Sequence, residues 1–359
     1  MKKILCFIDS LGAGGAQRQL VGLACFLKER GYDVTVACYH DNRFFADQLL
    51  STGVTYQYLE KAKKTTFRLW HIARYFRKLK PDVVIAYQET PSICACVAKL
   101  FNHGFKLIVS ERSTTQHTGR NERIRFNLFR VADYVVPNAY SQESYIKTTF
   151  PKLASKTFTI PNFVDLEHFV PPLERHRREV PEIMIAASIW APKNTLNFVD
   201  VIDVLRSKGF VFHVSWYGLN TRWADYIEQC QNKIERLGLK DFIMLKEKSK
   251  YICDIYQDAD YFCLPSFYEG TPNVICEALA CGLPIVCSDV CDNSHYVVEG
   301  ENGFLFDPRD TKSIVVAFER LFSLSDLEYA SFCRKSRDCA EQKLAEEIFV
   351  NKYIKLLES

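Results

Sequence analysis

The chain has 359 residues, 48% hydrophobic and 25% charged, which is a globular rather than a disordered balance and long enough for two domains with separate cores. Lys and Arg exceed Asp and Glu only by 46 to 43, so the total implies no polyelectrolyte partner and any basic surface must be local. No run of about 18 apolar residues occurs, so no membrane-spanning helix is expected.

The opening MKKILCFIDSLGAGG has too short an apolar run for a signal peptide and meets Asp9 at once, so 3–8 is read as a buried first strand. A glycine-rich turn at 12–15 follows. Leu20, Leu23, Ala24 and Leu27 then share one face of a predicted helix over 16–30, which Gly31 stops. Strands are predicted at 33–39, 82–86, 106–110 and 134–137, apolar and β-branched enough to be buried on both faces of a parallel sheet. The pattern then restarts with a strand at 182–188, a helix at 195–207 and strands at 210–217, 240–245, 261–265 and 284–288. Between the halves, 161–181 holds Pro171, Pro172 and a charged run at 174–178. The expected organisation is a first lobe at 1–165, a linker at 166–181, a second lobe at 182–340 and a C-terminal segment at 341–359. That last segment has a helical pattern over 344–357 and could pack on either lobe, the first included. Two doubly wound α/β lobes facing a central cleft follow, with ligand expected where strands end.

The 14 cysteines sit mostly inside apolar runs, among them Cys6, Cys25, Cys38, Cys94, Cys96, Cys263, Cys276 and Cys287. They read as reduced core thiols of a cytosolic protein. There is no CxxC pair, and Cys94-Ala-Cys96 alone is a weak metal signal.

The most informative segment is YFCLPSFYEGTPNVICEALACGLPIVCSD, 261–289. Thr271 suits an N-cap and Pro272 the first helical position. The helix is expected to run to Cys281, with Gly282 as its C′ residue and Pro284 forbidding continuation. Backbone N–H groups near Pro272, Asn273 and Val274, with the helix dipole, make an anion site suited to a diphosphate. Glu269 and Glu277 flank it, and carboxylates there can accept hydrogen bonds from sugar hydroxyls. An isolated E-x7-E is more often a pair of solvated glutamates. Here the spacing coincides with a loop, an N-cap and a proline in an α/β lobe.

EGTPNVICEALACGLPIV resembles the C-terminal-lobe signature of glycosyltransferase family 4, retaining enzymes of the GT-B fold. GAGGAQRQL, IPNFVDLEHF (160–169), WAPKN (190–194) and NGFLFDPRD (302–310) are similar to further segments of that family, in the same order. The resemblance implies that Glu277 binds the donor ribose and Glu269 the donor-sugar hydroxyls. Gly270, Thr271, Pro272, Asn273 and Val274 would cradle the diphosphate, and Lys193 would neutralise it as it departs. Gly14 and Gly15 would let the first lobe's backbone approach the donor, and Arg18 would reach the diphosphate or an anionic acceptor. Two departures stand out. Ser188 occupies the place of the family's arginine before the lysine. Arg112 occupies the place of a first-lobe histidine, with Glu111 before it and His117 five residues on. Arg112 is expected near the donor sugar, with His117 a weaker candidate.

The resemblance further implies hexosyl transfer from a nucleotide-sugar, a UDP-sugar by family frequency, to a glycan or lipid-linked acceptor in surface polysaccharide assembly. The expected chemistry is front-face displacement with retention, metal-independent and with no cofactor. Asp258-Ala259-Asp260 fits a D-x-D pattern literally but leads into a strand, so metal binding is not expected there. Two basic, aromatic-bearing segments, 61–80 and 120–130, suit an anionic membrane surface. Phe67, Trp70, Tyr75 and Phe76 lie in the first. The alternative is a solvated helix whose aromatics face the core. A cytoplasmic location, peripheral at the inner membrane face, is the corresponding expectation. No nucleic-acid recognition motif accompanies the basic residues. Two other functions stay open: a GT-B sugar-nucleotide epimerase, and a catalytically silent GT-B subunit supporting a partner enzyme.

Overall fold

The computed structural model describes residues 1–64, 67–112 and 118–359. Twelve strands form two parallel sheets among these residues. The first holds β1 (Lys3–Phe7), β2 (Asp33–Cys38), β3 (Thr55–Tyr58), β4 (Val83–Tyr87), β5 (Lys106–Glu111) and β6 (Tyr134–Pro137), in the order β3-β2-β1-β4-β5-β6. The second holds β7 (Glu182–Ala186), β8 (His213–Leu219), β9 (Ile243–Glu247), β10 (Tyr261–Leu264), β11 (Ile285–Ser288) and β12 (Gly303–Phe306), in the order β12-β11-β10-β7-β8-β9.

Helices cover both faces of each sheet, and that is why the central strands are apolar at every position. In β1, Ile4 and Cys6 enter the core on one face while Leu5 and Phe7 enter the core on the other. In β10, Tyr261 and Cys263 face one core and Phe262 and Leu264 the other. Each Ile, Leu or Phe among these contributes about 1.5–3 kcal/mol of burial. All 14 cysteines are free thiols and most are buried. Burial pushes the Cys6 and Cys96 thiols up to about 12.

The contacts divide the chain into one unit of 1–163 with 347–359 and a second of 164–346. The C-terminal helix, Glu346–Glu358, adds Phe349, Val350, Tyr353 and Leu357 to the first unit's core. Lys2 Nζ and Lys106 Nζ donate to the Leu357 and Leu356 carbonyls at 2.7 and 3.1 Å, which satisfies the helix end with cations. The run at 174–178, read as linker, is pinned to the second unit by its arginines. Arg175 donates to the carbonyls of Ala259 and Cys281, and Arg177 to that of Leu324.

The strand β3 has no counterpart in the sequence reading. Its TYQY alternates exposed and half-buried residues at a sheet edge, so it lacks the apolar run that marks the central strands.

Candidate functional site

Each sheet reverses its strand order once, between β1 and β4 in the first and between β7 and β10 in the second. Loops leaving the carboxyl ends of such a strand pair separate to opposite faces and leave a crevice. The singled-out residues of the second unit fall on the β7 and β10 loops.

Beyond β7, Ala191–Lys193 forms one 3-10 turn, closed by Asn194 in the left-handed region at φ 64°. The buried Asn194 amide donates to the Pro308 carbonyl at 2.8 Å, which offsets that conformation. Trp190 stacks on Trp223 with ring centres 5.2 Å apart. Beyond β10, Phe267 donates its N–H to the Pro192 carbonyl at 2.9 Å, so the two loops are stitched together. Next to this bond, Lys193 Nζ donates to Glu269 Oε1. These side chains are only 19% and 12% exposed, so the charges meet where water screens them weakly. Ser188 lies half-buried just past β7, with no charge to offer beside Lys193.

The helix after Glu269 is Asn273–Ala280, with Pro272 as N-cap rather than Thr271. Proline fits this position because no intrahelical N–H is needed there, and its extended ψ of 100° lets the helix begin at the next residue. The Pro272 carbonyl accepts from Ile275 and Cys276 at 3.0 and 3.2 Å. Gly270 is half-buried and Thr271 buried beside this start. The helix ends as expected. Gly282 takes φ 70°, its N–H reaches the Leu279 carbonyl at 2.9 Å, and the Leu283 N–H reaches that of Ala278 at 3.0 Å. Both bonds of a Schellman cap are therefore made. Glu277, one turn in, is buried, and its Oε2 accepts from Tyr256 Oη at 3.2 Å. The same hydroxyl lies 3.2 Å from the Val274 carbonyl. Tyr256 thus fixes the Glu277 carboxylate, a contact the sequence reading missed, and nothing in ICDIYQD distinguishes it from an ordinary core aromatic.

The Asp258/Asp260 pair is committed elsewhere. Arg178 bonds Asp258 Oδ1 at 2.6 Å and Asp260 Oδ2 at 3.1 Å, and Asp260 also accepts the Glu182 N–H at 2.8 Å. Among the described residues no group of three His, Cys, Asp or Glu side chains is arranged to hold a metal ion.

In the first unit the loop after β1 carries Asp9 and runs through Gly14, which caps the helix Gly15–Glu29. Arg18 sits half-buried in that helix's first turn, its N–H on the Gly14 carbonyl at 3.0 Å. The loop after β4 carries Gln88, a non-glycine residue at φ 73°, a conformation that costs of order 1–3 kcal/mol. With its amide nitrogen toward the carboxylate, Gln88 donates to Asp9 Oδ1 at 2.8 Å and accepts from Gln17 Nε2 at 3.2 Å. Asp9, Gln17 and Gln88 form a polar cluster at this unit's own switch point, and the sequence reading missed them.

Arg112, at the end of β5, lies over the Tyr87 ring at 4.6 Å and donates to Asn162 Oδ1 at 2.5 Å. Tyr87 in turn shares a 2.8 Å hydrogen bond with Tyr353 of the C-terminal helix. The adjoining Phe163 exchanges two 2.9 Å bonds with the Gln19 amide, so the IPNFVD segment serves to hold Arg112 and the first helix. Glu111 is buried against Arg125 at 3.5 Å. His117 falls outside the described residues.

Two six-stranded parallel sheets, each flanked by helices and with polar loops at its switch point, make up a GT-B fold. Residues 13–168 match the family model Glycosyltransferase Family 4 and residues 180–323 the model Glycosyl transferases group 1. The chain belongs to this family of glycosyltransferases. It is 25% identical over 97% of its length to an uncharacterized glycosyltransferase of Haemophilus influenzae, covering 98% of that protein. It is 28% identical to a Campylobacter jejuni GalNAc-alpha-(1->4)-GalNAc-alpha-(1->3)-diNAcBac-PP-undecaprenol alpha-1,4-N-acetyl-D-galactosaminyltransferase, over 78% of this chain and 77% of that one. Among solved structures, Anabaena Alr3699/HepE in complex with UDP superposes with a TM-score of 0.86 over 100% of both chains at 18% identity.

Proposed function

We propose that the chain transfers a sugar from a UDP-sugar to a lipid-linked glycan, with retention of anomeric configuration. The observation that carries this reading is the Lys193–Glu269 pair beside the start of the Asn273–Ala280 helix, with Glu277 buried one turn in. A helix N-terminus and an ammonium favour a diphosphate from two directions. Glu277, oriented by Tyr256, suits the ribose hydroxyls, and Glu269 those of the donor sugar. The UDP complex of the Anabaena protein and the lipid-diphosphate acceptor named for the Campylobacter relative support donor and acceptor class.

In the proposed step the bond between the anomeric carbon and the diphosphate oxygen breaks. The acceptor oxygen bonds that carbon on the same face, and its proton passes to the departing diphosphate. Charge accumulates on the diphosphate, and Lys193, shared with or drawn from Glu269, would stabilise it together with the helix start. With these cationic groups in place the reaction requires no divalent ion. Asp9 and Gln88 would take acceptor hydroxyls in the first unit, and Arg112, held by Asn162 and Tyr87, would orient the sugar.

The test is incubation with a panel of nucleotide-sugars and lipid-diphosphate glycans, the product's anomeric configuration being read by NMR. A UDP-sugar consumed with an α-linked product is expected. An inverted product, or stabilisation by no uridine nucleotide, would overturn the reading.

A further inference from the structure

The helix Arg68–Leu79 is amphipathic in two senses. Ile72 and Phe76 face the core of its unit and are fully buried. Its other side leaves Leu69 and Trp70 44% and 57% exposed, and Phe67 just before it 61% exposed. The helix Glu89–Phe101 packs beside it and ends with Phe101 71% exposed. A cavity of about 970 Å³ opens between the two, with Leu69, Trp70 and Phe101 on its apolar side and Arg74, Arg77 and Lys78 around it. The Arg74 guanidinium lies 5.3 Å from the Trp70 ring centre, so cation and aromatic sit at one level.

The charges are one-sided. The helix Arg68–Leu79 contains no Asp or Glu, and exposed Lys61, Lys63 and Lys64 precede it. Among the described residues Arg74, Arg77 and Lys78 enter no ion pair. The acidic residue of the second helix, Glu89, lies at its far end against Arg125 at 3.0 Å. Arg68 is not part of the free charge, because it holds the helix start by donating to the Ala62 carbonyl at 3.0 Å.

An apolar ridge of this exposure is costly in water, and clustered cations beside it need anions. We propose that this two-helix face docks on an anionic bilayer. Trp70, Leu69 and Phe101 enter the headgroup layer, and Arg74, Arg77 and Lys78 lie at the level of lipid phosphates. Two copies of the chain joined through this face would bring like charges together, which disfavours a self-interface. The proposal goes beyond the transferase reading, since vesicle binding is measured without sugar transfer.

Flotation with vesicles of phosphatidylglycerol and phosphatidylethanolamine, and with phosphatidylcholine alone, tests it. The full chain should float with the anionic vesicles only, and less so as NaCl rises. Replacing Arg74, Arg77 and Lys78 together with glutamine should lower the partition coefficient about a hundredfold, roughly fivefold per cation. Trp70→Ala with Phe101→Ala should lower it about tenfold or more. Stabilisation by UDP should be unchanged in both variants, which shows the fold intact. Absence of flotation with anionic vesicles would overturn the proposal. So would binding that survives both sets of substitutions, or light scattering that shows a dimer dissolved by Trp70→Ala with Phe101→Ala.

Discussion

Lys193→Ala separates the two duties assigned to that ammonium. In the ligand-free protein it partners Glu269, with both side chains less than one-fifth exposed. Its loss should therefore cost more than an exposed pair and less than a fully buried one, about 1–3 kcal/mol. For a unit of this size that lowers Tm by roughly 2–10 °C. If the ammonium also meets the diphosphate, a charge-assisted hydrogen bond worth about 1.5–3 kcal/mol disappears, and UDP should bind about 10–100-fold more weakly. Turnover should fall by about 10²–10³, as when one preorganised donor to a developing oxyanion is removed. Glu269→Gln is the companion variant. Its amide oxygen still accepts from Lys193, so Tm and UDP affinity should stay near those of the unaltered protein while sugar transfer drops. Scanning calorimetry, titration with UDP and product analysis read the three quantities separately. A Lys193→Ala variant that loses Tm yet keeps UDP affinity and turnover within about threefold would refute the ligand role and leave only a structural ion pair.

Tyr256→Phe removes the hydroxyl shared by Glu277 and the Val274 carbonyl. It should cost about 1 kcal/mol of stability and weaken UMP and UDP by similar factors, since it acts at the ribose end; unequal factors measured by calorimetry would argue against the Glu277 assignment. Gly282→Ala forces a side chain to φ 70° with the Cys333 carbonyl 3.3 Å from the new Cβ, and urea unfolding should show a loss of about 1–2 kcal/mol or more. Dialysis against EDTA should leave turnover unchanged, and a tenfold loss restored by a divalent ion would contradict the electrostatic role given to Lys193. The pH dependence of stability is set partly by the core thiols. Cys6 and Cys96 stay protonated in the folded chain up to about 12, because burial disfavours their thiolates, whereas unfolded thiols ionise from about 9. Their contribution is fully present below 9 and is lost as pH rises towards 12, by at most about 1.4 kcal/mol per thiol per pH unit. Urea midpoints that do not fall between pH 8 and pH 10 would count against this.

What could be read in the sequence was what is local. The helix start after Glu269 and its end at Gly282 depend on proline, glycine and a stretch of apolar residues within about one helix length, so chain order carries them. Even there the N-cap moved by one residue, because Thr271 and Pro272 both fit a helix entrance and only the observed ψ of Pro272 decides between them. The phase of the basic helix was harder. Phe76 and Trp70 look alike in composition, but the first is fully buried and the second mostly in solvent. Phe101 joins the same face from a helix that carries no basic run of its own.

What could not be read depends on strand order. Lys193 and Glu269 are 76 residues apart, and Asp9 and Gln88 are similarly remote along the first unit. Both pairs meet because β7 lies beside β10 and β1 beside β4, a neighbourhood set by crossover connections rather than by any residue in the loops. The two units thus repeat one arrangement with different chemistry. At its switch point the second presents an ammonium, a carboxylate and a helix start, a set suited to a charged diphosphate with sugar hydroxyls on either side. The first presents Asp9 held by two amides, a set suited to neutral hydroxyls. The left-handed Gln88 is the sharper indication of that role, because its strain persists where the carboxylate and Gln17 fix the amide on both sides. A core-packing duty would not call for either polar partner.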